Sequence, residues 1–182
     1  MNNKGQIVYM NLIPVAVIVL LILGAGYLMT KGDLNIPFLK NADEIELRRI
    51  EGFPTVLPAS TQVDKQRWVI KTQAELDDFL KTVDPSGLAK VAESINFDKE
   101  YLLAVSNETR PQGGHEIKIR RVYKNSKDNT LRASVHEQRP GDGCILEQYL
   151  NTAVDIVAIS KNDKEIGFEV IKDIKNCEES RE

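Results

Sequence analysis

Residues 5–30 carry no charged side chain, and Lys4 is the only charge before Lys31. No other feature constrains the chain as strongly. Within this run residues 12–29 (LIPVAVIVLLILGAGYLM) are almost wholly apolar. As a helix rising about 1.5 Å per residue they would span roughly 27 Å, the scale of a bilayer core. Pro14 falls in the first turn, where its missing N–H costs little, and Gly24 and Gly26 are tolerated in membrane helices. The segment therefore predicts an uncleaved N-terminal transmembrane helix over residues 1–30, with the lipid bilayer as a partner. A buried core helix fits less well, because nothing else here could cover such a segment on all sides. A cleaved secretory signal is a weaker alternative. Gly24, Ala25 and Gly26 offer small residues, but Tyr27, Leu28 and Met29 continue the apolar run past them. Lys4 stands on one side, Lys31 and Lys40 on the other, so charge alone does not orient the span. The short N-terminal flank favours an extracytoplasmic domain at the cell membrane.

Beyond residue 30 the chain reads as one globular unit. The remaining 152 residues carry a net charge of −4, since Lys4 is the only charge lost. That length supports a single domain with its own core. Its mildly acidic balance argues against nucleic acid as a partner. Two Cys are too few to hold an iron–sulfur cluster from this chain alone. Residues 31–44 read as a juxtamembrane linker, 45–171 as the globular domain and 172–182 as a polar tail.

Within the domain, Thr72 and Glu75 form a T-x-x-E capping box. Leu76, Phe79, Leu80 and Val83 follow at the spacing of one buried helical face, and Asp84-Pro85-Ser86-Gly87 ends the helix. Residues 88–94 are read as a further helical turn or two. From Tyr101 the period changes to that of strands. Ile117 and Ile119 point inward, and Leu131, Ala133 and Val135 alternate against Arg132, Ser134 and His136. Residues 154–159 are apolar on both faces and read as a central strand. Ile166, Phe168 and Val170 alternate again, with Asn162-Asp163 as a hairpin turn before them. The fold class predicted is α+β: one N-terminal transmembrane helix, then a single domain of mostly antiparallel sheet with one packed helix.

Candidate chemistry is sparse. His115 and Glu116 are strand neighbours and point to opposite faces, so they cannot easily act as a base with its orienting carboxylate. His136 falls on the solvated side of its strand. Cys144 has no nucleophile signature around it. No phosphate-binding glycine loop, metal set or Ser-His-Asp order is present, so the chain is read as no enzyme, with no cofactor and no evident small-molecule substrate. Cys144 and Cys177 are the only cysteines. In an oxidising compartment they could bridge; otherwise they are two thiols. Lys118 and Arg120 belong to a basic strand, which reads as a solvated face or as a docking patch.

Two resemblances add to this. Lys4-Gly5-Gln6-Ile7, just before the apolar run, resembles archaeal class III signal peptides, which are cleaved after the glycine. It implies the alternative of a pilin-like or filament-associated subunit. The second covers nearly all of the globular part. Ile95-Asn96-Phe97-Asp98 leads into the strand YLLAV, then Asn107-Glu108-Thr109-Arg110-Pro111-Gln112-Gly113-Gly114-His115, EIKIRRV and HEQRPGDGCILEQYLNTAVDIVAISK. This order resembles the PrcB-like family, the C-terminal domain of a protease-complex subunit. Gln112 stands where that family usually has Thr and His115 where it has Tyr; Ser106-Asn107 replaces Leu-Gly, and Ala153-Val154 replaces Pro-Tyr. The resemblance implies a non-enzymatic domain that assists or stabilises a partner protein, a protease complex, at the cell surface. The residues singled out for binding are Arg110, Gln112, Gly113, Gly114, His115, Lys118 and Arg120. The segment 110–115 is expected as an exposed loop between strands, its glycines setting a tight path.

Overall fold

The computed structural model describes residues 44–125 and 128–177. Among them the element order is β1 (Glu44–Ile45), β2 (Leu47–Arg49), β3 (Val56–Pro58), β4 (Gln66–Ile70), α1 (Gln73–Val83), β5 (Glu100–Ser106), β6 (Glu116–Lys124), β7 (Leu131–Pro140), β8 (Asn151–Ser160) and β9 (Ile166–Lys175). The strands form two sheets. One runs β1-β6-β7-β9; the other runs β2-β8-β5-β4, with β3 also pairing β8.

The helix forms where its pattern predicts. The Thr72 hydroxyl accepts from the Glu75 N–H, and the Glu75 carboxylate accepts from the Thr72 N–H. Leu76, Phe79 and Val83 are buried against the second sheet. Residues 88–94, read as helical, form no helix. The buried Asp84 carboxylate accepts from the N–H groups of Ser86 and Ala89 and from the Ser86 hydroxyl. That turn sends the chain across the helix, and Ala89 and Val91 pack on the core.

Alternation along the two central strands of the second sheet divides the interior. Leu102, Ala104, Val154, Ile156 and Ala158 face α1. Leu103, Val105, Ala153, Val157 and Ile159 face the first sheet, where Ile117, Ile119, Val122, Leu131, Ala133 and Val135 meet them. The result is three layers, helix on sheet on sheet. It explains why β8 is apolar on both sides.

Three expectations need correction. Among the described residues no helix is long and apolar enough to cross a membrane. The one helix among the described residues has 11 residues and a single buried face, so the fold class they show is mixed sheets with one short helix, and the expected transmembrane helix is not supported by them. Residues 1–43, which hold the apolar run, the Lys4–Ile7 reading and most of the linker, lie outside the described residues. Second, the sheet is not single: β9 pairs in parallel with β7 while every other pair is antiparallel. Third, Asn162-Asp163 does not close a hairpin between β8 and β9, because these strands lie in different sheets. Both edges of β8 are already taken, by β5 on one side and by β2 on the other. The next strand must cross to the free edge of β7, where Ile166 and Phe168 complete the core between the sheets. It continues through residues 172–175, the start of the segment read as tail.

A buried charge ties the two sheets together. Asp155 on β8 points toward the first sheet with 6% of its surface exposed. It receives Arg49 Nη1 at 2.9 and 2.7 Å and the Ile119 N–H at 2.7 Å. Arg49 Nη2 donates to the Ile119 carbonyl at 2.7 Å. The register of β6 slips between Ile119 and Arg121, and Asp155 satisfies a backbone N–H at that bulge.

Candidate functional site

The segment after β5 is laced to its neighbours rather than free. The Asn107 N–H donates to Ala153 O at 2.9 Å, and the Thr109 N–H donates to Val63 O at 2.9 Å. The Thr109 hydroxyl accepts from the Val63 N–H and lies 3.1 Å from the Thr152 hydroxyl. Arg110 and Asn151 exchange both backbone hydrogen bonds, and Asn151 Nδ2 donates to the carbonyls of Gln112 and Tyr149. The Gly113 N–H donates to Glu147 O. Each glycine has its own reason. A Cβ on Gly113 would come 3.3 Å from Tyr149 Cε1. Gly114 has φ +79°, and a Cβ there would meet Leu146 Cδ2 at 3.1 Å. Arg110, Pro111 and Gln112 are exposed, but Gly113 is buried and His115 is half-buried.

The segment that covers the glycines, residues 141–150, is itself fastened. Cys144 and Cys177 form a disulfide, Cα atoms 5.5 Å apart, joining it to the end of β9. On it Ile145 is fully exposed, and Tyr149 and Leu150 are a little under half exposed.

Between the sheets, beyond the end of the apolar core, lies a cleft of about 480 Å³. Alternation explains its lining. Leu131, Ala133 and Val135 fill the core from β7, and the same phase continues to Glu137 and Arg139. On β9, Ile166 and Phe168 are followed in phase by Lys172 and Ile174. Lys65, Asn107, Glu108, Arg110 and His115 form the opposite wall. Glu137 accepts from Arg67 at 2.5 Å and from Lys65 at 3.0 Å. Glu108 pairs with Lys65 at 3.4 Å and with Arg110. The outcome is a chain of five charges, Arg110–Glu108–Lys65–Glu137–Arg67.

The electrostatics follow from burial and neighbours. Burial lowers the Arg67 pKa, opposed by Glu137. Burial alone would raise the Glu108 pKa, but its own backbone N–H, Lys65 and Arg110 hold it below the usual carboxylate value. His115 is lowered by burial and by repulsion from Arg110 and Arg139, against the pull of Glu108. Burial and that repulsion both favour its neutral imidazole form.

Of the residues singled out in the sequence, Arg110 and His115 line this cleft. Gln112 sits on the exposed loop, Gly113 is buried against Tyr149 and Glu147, and Gly114 is exposed beside Leu146 and Pro140. Lys118 lies on the outer face of its sheet, in register with His136 and 3.3 Å from Glu116. Arg120 falls in the bulge and lines no part of the cleft. His136 is paired on that outer face with Asp173 at 3.1 Å. Sequence reading missed Lys65, Glu108, Glu137, Arg139 and Lys172. The available signal was on β7, where two charged residues continue the apolar phase of the strand. Among the described residues no group of three His, Cys, Asp or Glu is placed to hold a metal.

No curated protein matches the chain, and no solved structure does. A family does. The stretch from β5 to β8, with the laced loop, the glycine pair and Cys144, is residues 101–160, and there the chain matches the model of the PrcB C-terminal family, which supports the PrcB-like resemblance over that part of its length.

Proposed function

We propose that this is a non-enzymatic protein-binding domain that assists or stabilises a partner, a protease complex by the family likeness, outside the cytoplasm. The match of residues 101–160 to the PrcB C-terminal family carries the reading. Two features of the structure support it. Ile145, Tyr149 and Leu150 present apolar surface on a loop held in place by a disulfide and by the glycine pair. Exposed apolar side chains on a fixed loop beside a polar cleft are the layout of a protein contact. The disulfide itself fits an oxidising compartment.

Photo-crosslinking in cells tests this. A crosslinking residue at position 145 or 149 is expected to give one discrete adduct that contains a protease subunit, while one at Asp78 on the exposed face of α1 gives none. Absence of an adduct from both loop positions, or identical adducts from all three, would remove the reading. Thiol labelling of the denatured protein, before and after reduction, tests the compartment: both cysteines should react only after reduction.

A further inference from the structure

We propose that the cleft between the two sheets receives a carboxylate side chain from an extended, acidic segment of the partner protein. The proposal rests on the protein-binding reading above and names the chemistry of the contact.

The charge distribution carries the argument. Glu108 and Glu137 are engaged by Lys65, Arg67 and Arg110. Asp173, at the rim, is paired with His136. Arg139 and Lys172 have no carboxylate partner among the described residues, although both line the cleft. Their placement makes this informative. In the parallel register of β7 and β9, Glu137 stands directly opposite Lys172, and Arg139 opposite Ile174. The natural cross-strand partner of Lys172 is therefore Glu137. Yet the Glu137 carboxylate reaches across the cleft to Lys65 and Arg67 instead. Two cations on adjacent strands, one register step apart on the same face, are left facing the same space. A carboxylate from outside would complete them.

A second observation selects the class of ligand. Asn107 is only 7% exposed, lines the same cleft, and its Oδ1 has no hydrogen-bond partner. A buried acceptor of this kind calls for a donor. Inorganic phosphate brings mostly acceptors, and any P–OH donor it keeps sits on the same small ion that must also meet the cations. A peptide brings an N–H on either side of each acidic side chain. The far edge of β9 is also unpaired among the described residues, so an extended segment has main-chain groups to meet there.

The test uses the purified full chain and a fluorescein-labelled short peptide alternating glutamate and threonine, read by fluorescence anisotropy. The expected result is saturable binding, with the glutamine-for-glutamate peptide much weaker and millimolar inorganic phosphate a poor competitor. Removing both free cations, Arg139→Gln with Lys172→Gln, should weaken binding about tenfold or more without changing the melting temperature. Lys90→Gln with Lys124→Gln, on the exposed surface elsewhere, should change neither. Arg139→Glu with Lys172→Glu should turn the preference toward a lysine–threonine peptide. Equal binding of the glutamine peptide, full affinity in the double glutamine variant, or ready displacement by phosphate would each overturn the proposal. Should the double variant melt early, the single Lys172→Gln, at an exposed edge position, must show a weaker affinity at unchanged stability. Crosslinking at 145 and 149 with no acidic-peptide binding would remove this inference and leave the protein-binding reading standing; acidic-peptide binding with no crosslinked protease subunit would remove the protease partner and the loop contact and leave the cleft as a site for an acidic segment of another protein.

Discussion

Asp155→Ala should be among the most damaging single substitutions in the domain, and its cost can be worked from the geometry. The substitution leaves the buried Ile119 N–H without an acceptor at a bulge where β7 does not supply one. An orphaned buried donor costs about 1–3 kcal/mol. The ion pair with Arg49 adds less, about 0–1 kcal/mol, because the Arg49 side chain is 51% exposed and can return to water. The expected loss is about 1–4 kcal/mol, or a fall in melting temperature of roughly 3–15 °C. Arg49→Ala should cost less, about 1 kcal/mol, since Asp155 keeps the Ile119 N–H. Asp155→Asn, which retains an acceptor, should fall between. Urea unfolding of the four members of the Asp155/Arg49 double-mutant cycle measures all of this, with a coupling of about 0.5–1 kcal/mol expected. If Arg49→Ala proved costlier than Asp155→Ala, the carboxylate would be there for the guanidinium and not for the bulge, and the reasoning would fail.

Phe79→Ala should cost about 3–5 kcal/mol, because Phe79 is fully buried with its ring edge-on to Trp68 at 5.8 Å; the fluorescence of Trp68, the only tryptophan, should shift in the folded variant, and a loss under about 1 kcal/mol would mean α1 is not docked as described. Gly114→Ala should destabilise by about 1–2 kcal/mol through its positive φ and Gly113→Ala by less, since there only the end of the Tyr149 ring must move; thermal melts that rank them the other way would refute the assignment. Burial pushes the Asp84 pKa up, but hydrogen bonds from Ser86, Ala89 and Leu88 outweigh it and hold it below 3.8. A depressed folded pKa gives stability that is present above the unfolded value and lost as pH falls through the folded one, so Asp84→Asn should flatten the acid limb of the stability curve below about pH 3.8 and leave its shape at neutral pH unchanged.

What could be read in the sequence was what repeats locally. The α1 capping box and the 76/79/80/83 face are four-residue regularities, and the double-sided apolar run of β8 announces a strand with cores on both sides. What could not be read depends on which edges are free. Nothing local to residues 161–175 says that β8 is already flanked, so a hairpin was the natural reading and a crossover to β7 the actual result. The cleft has the same character. Its charges come from residues 65, 108, 110, 137, 139, 172 and 173, brought together only when the two sheets pack. The glycine pair announced a tight path but not Tyr149 and Leu146, the side chains that lie on it. Residues 88–94 had the composition of a helix, but the Asp84 turn claims their backbone first.

The crossover of β9 also sets an order of events during synthesis. As the chain emerges, β6 and β7 can pair as a hairpin and β8 can join β5, but the inner face of β7 stays open on one side until Ile166 and Phe168 arrive. The cleft acquires Lys172 at the same moment, and Cys177 reaches Cys144 only after β9 has docked. The disulfide therefore records completed assembly: a chain stalled before β9 pairs holds a reactive Cys144 with no intramolecular mate. In a compartment with thiol oxidants, such chains are distinguishable from finished ones by chemistry alone.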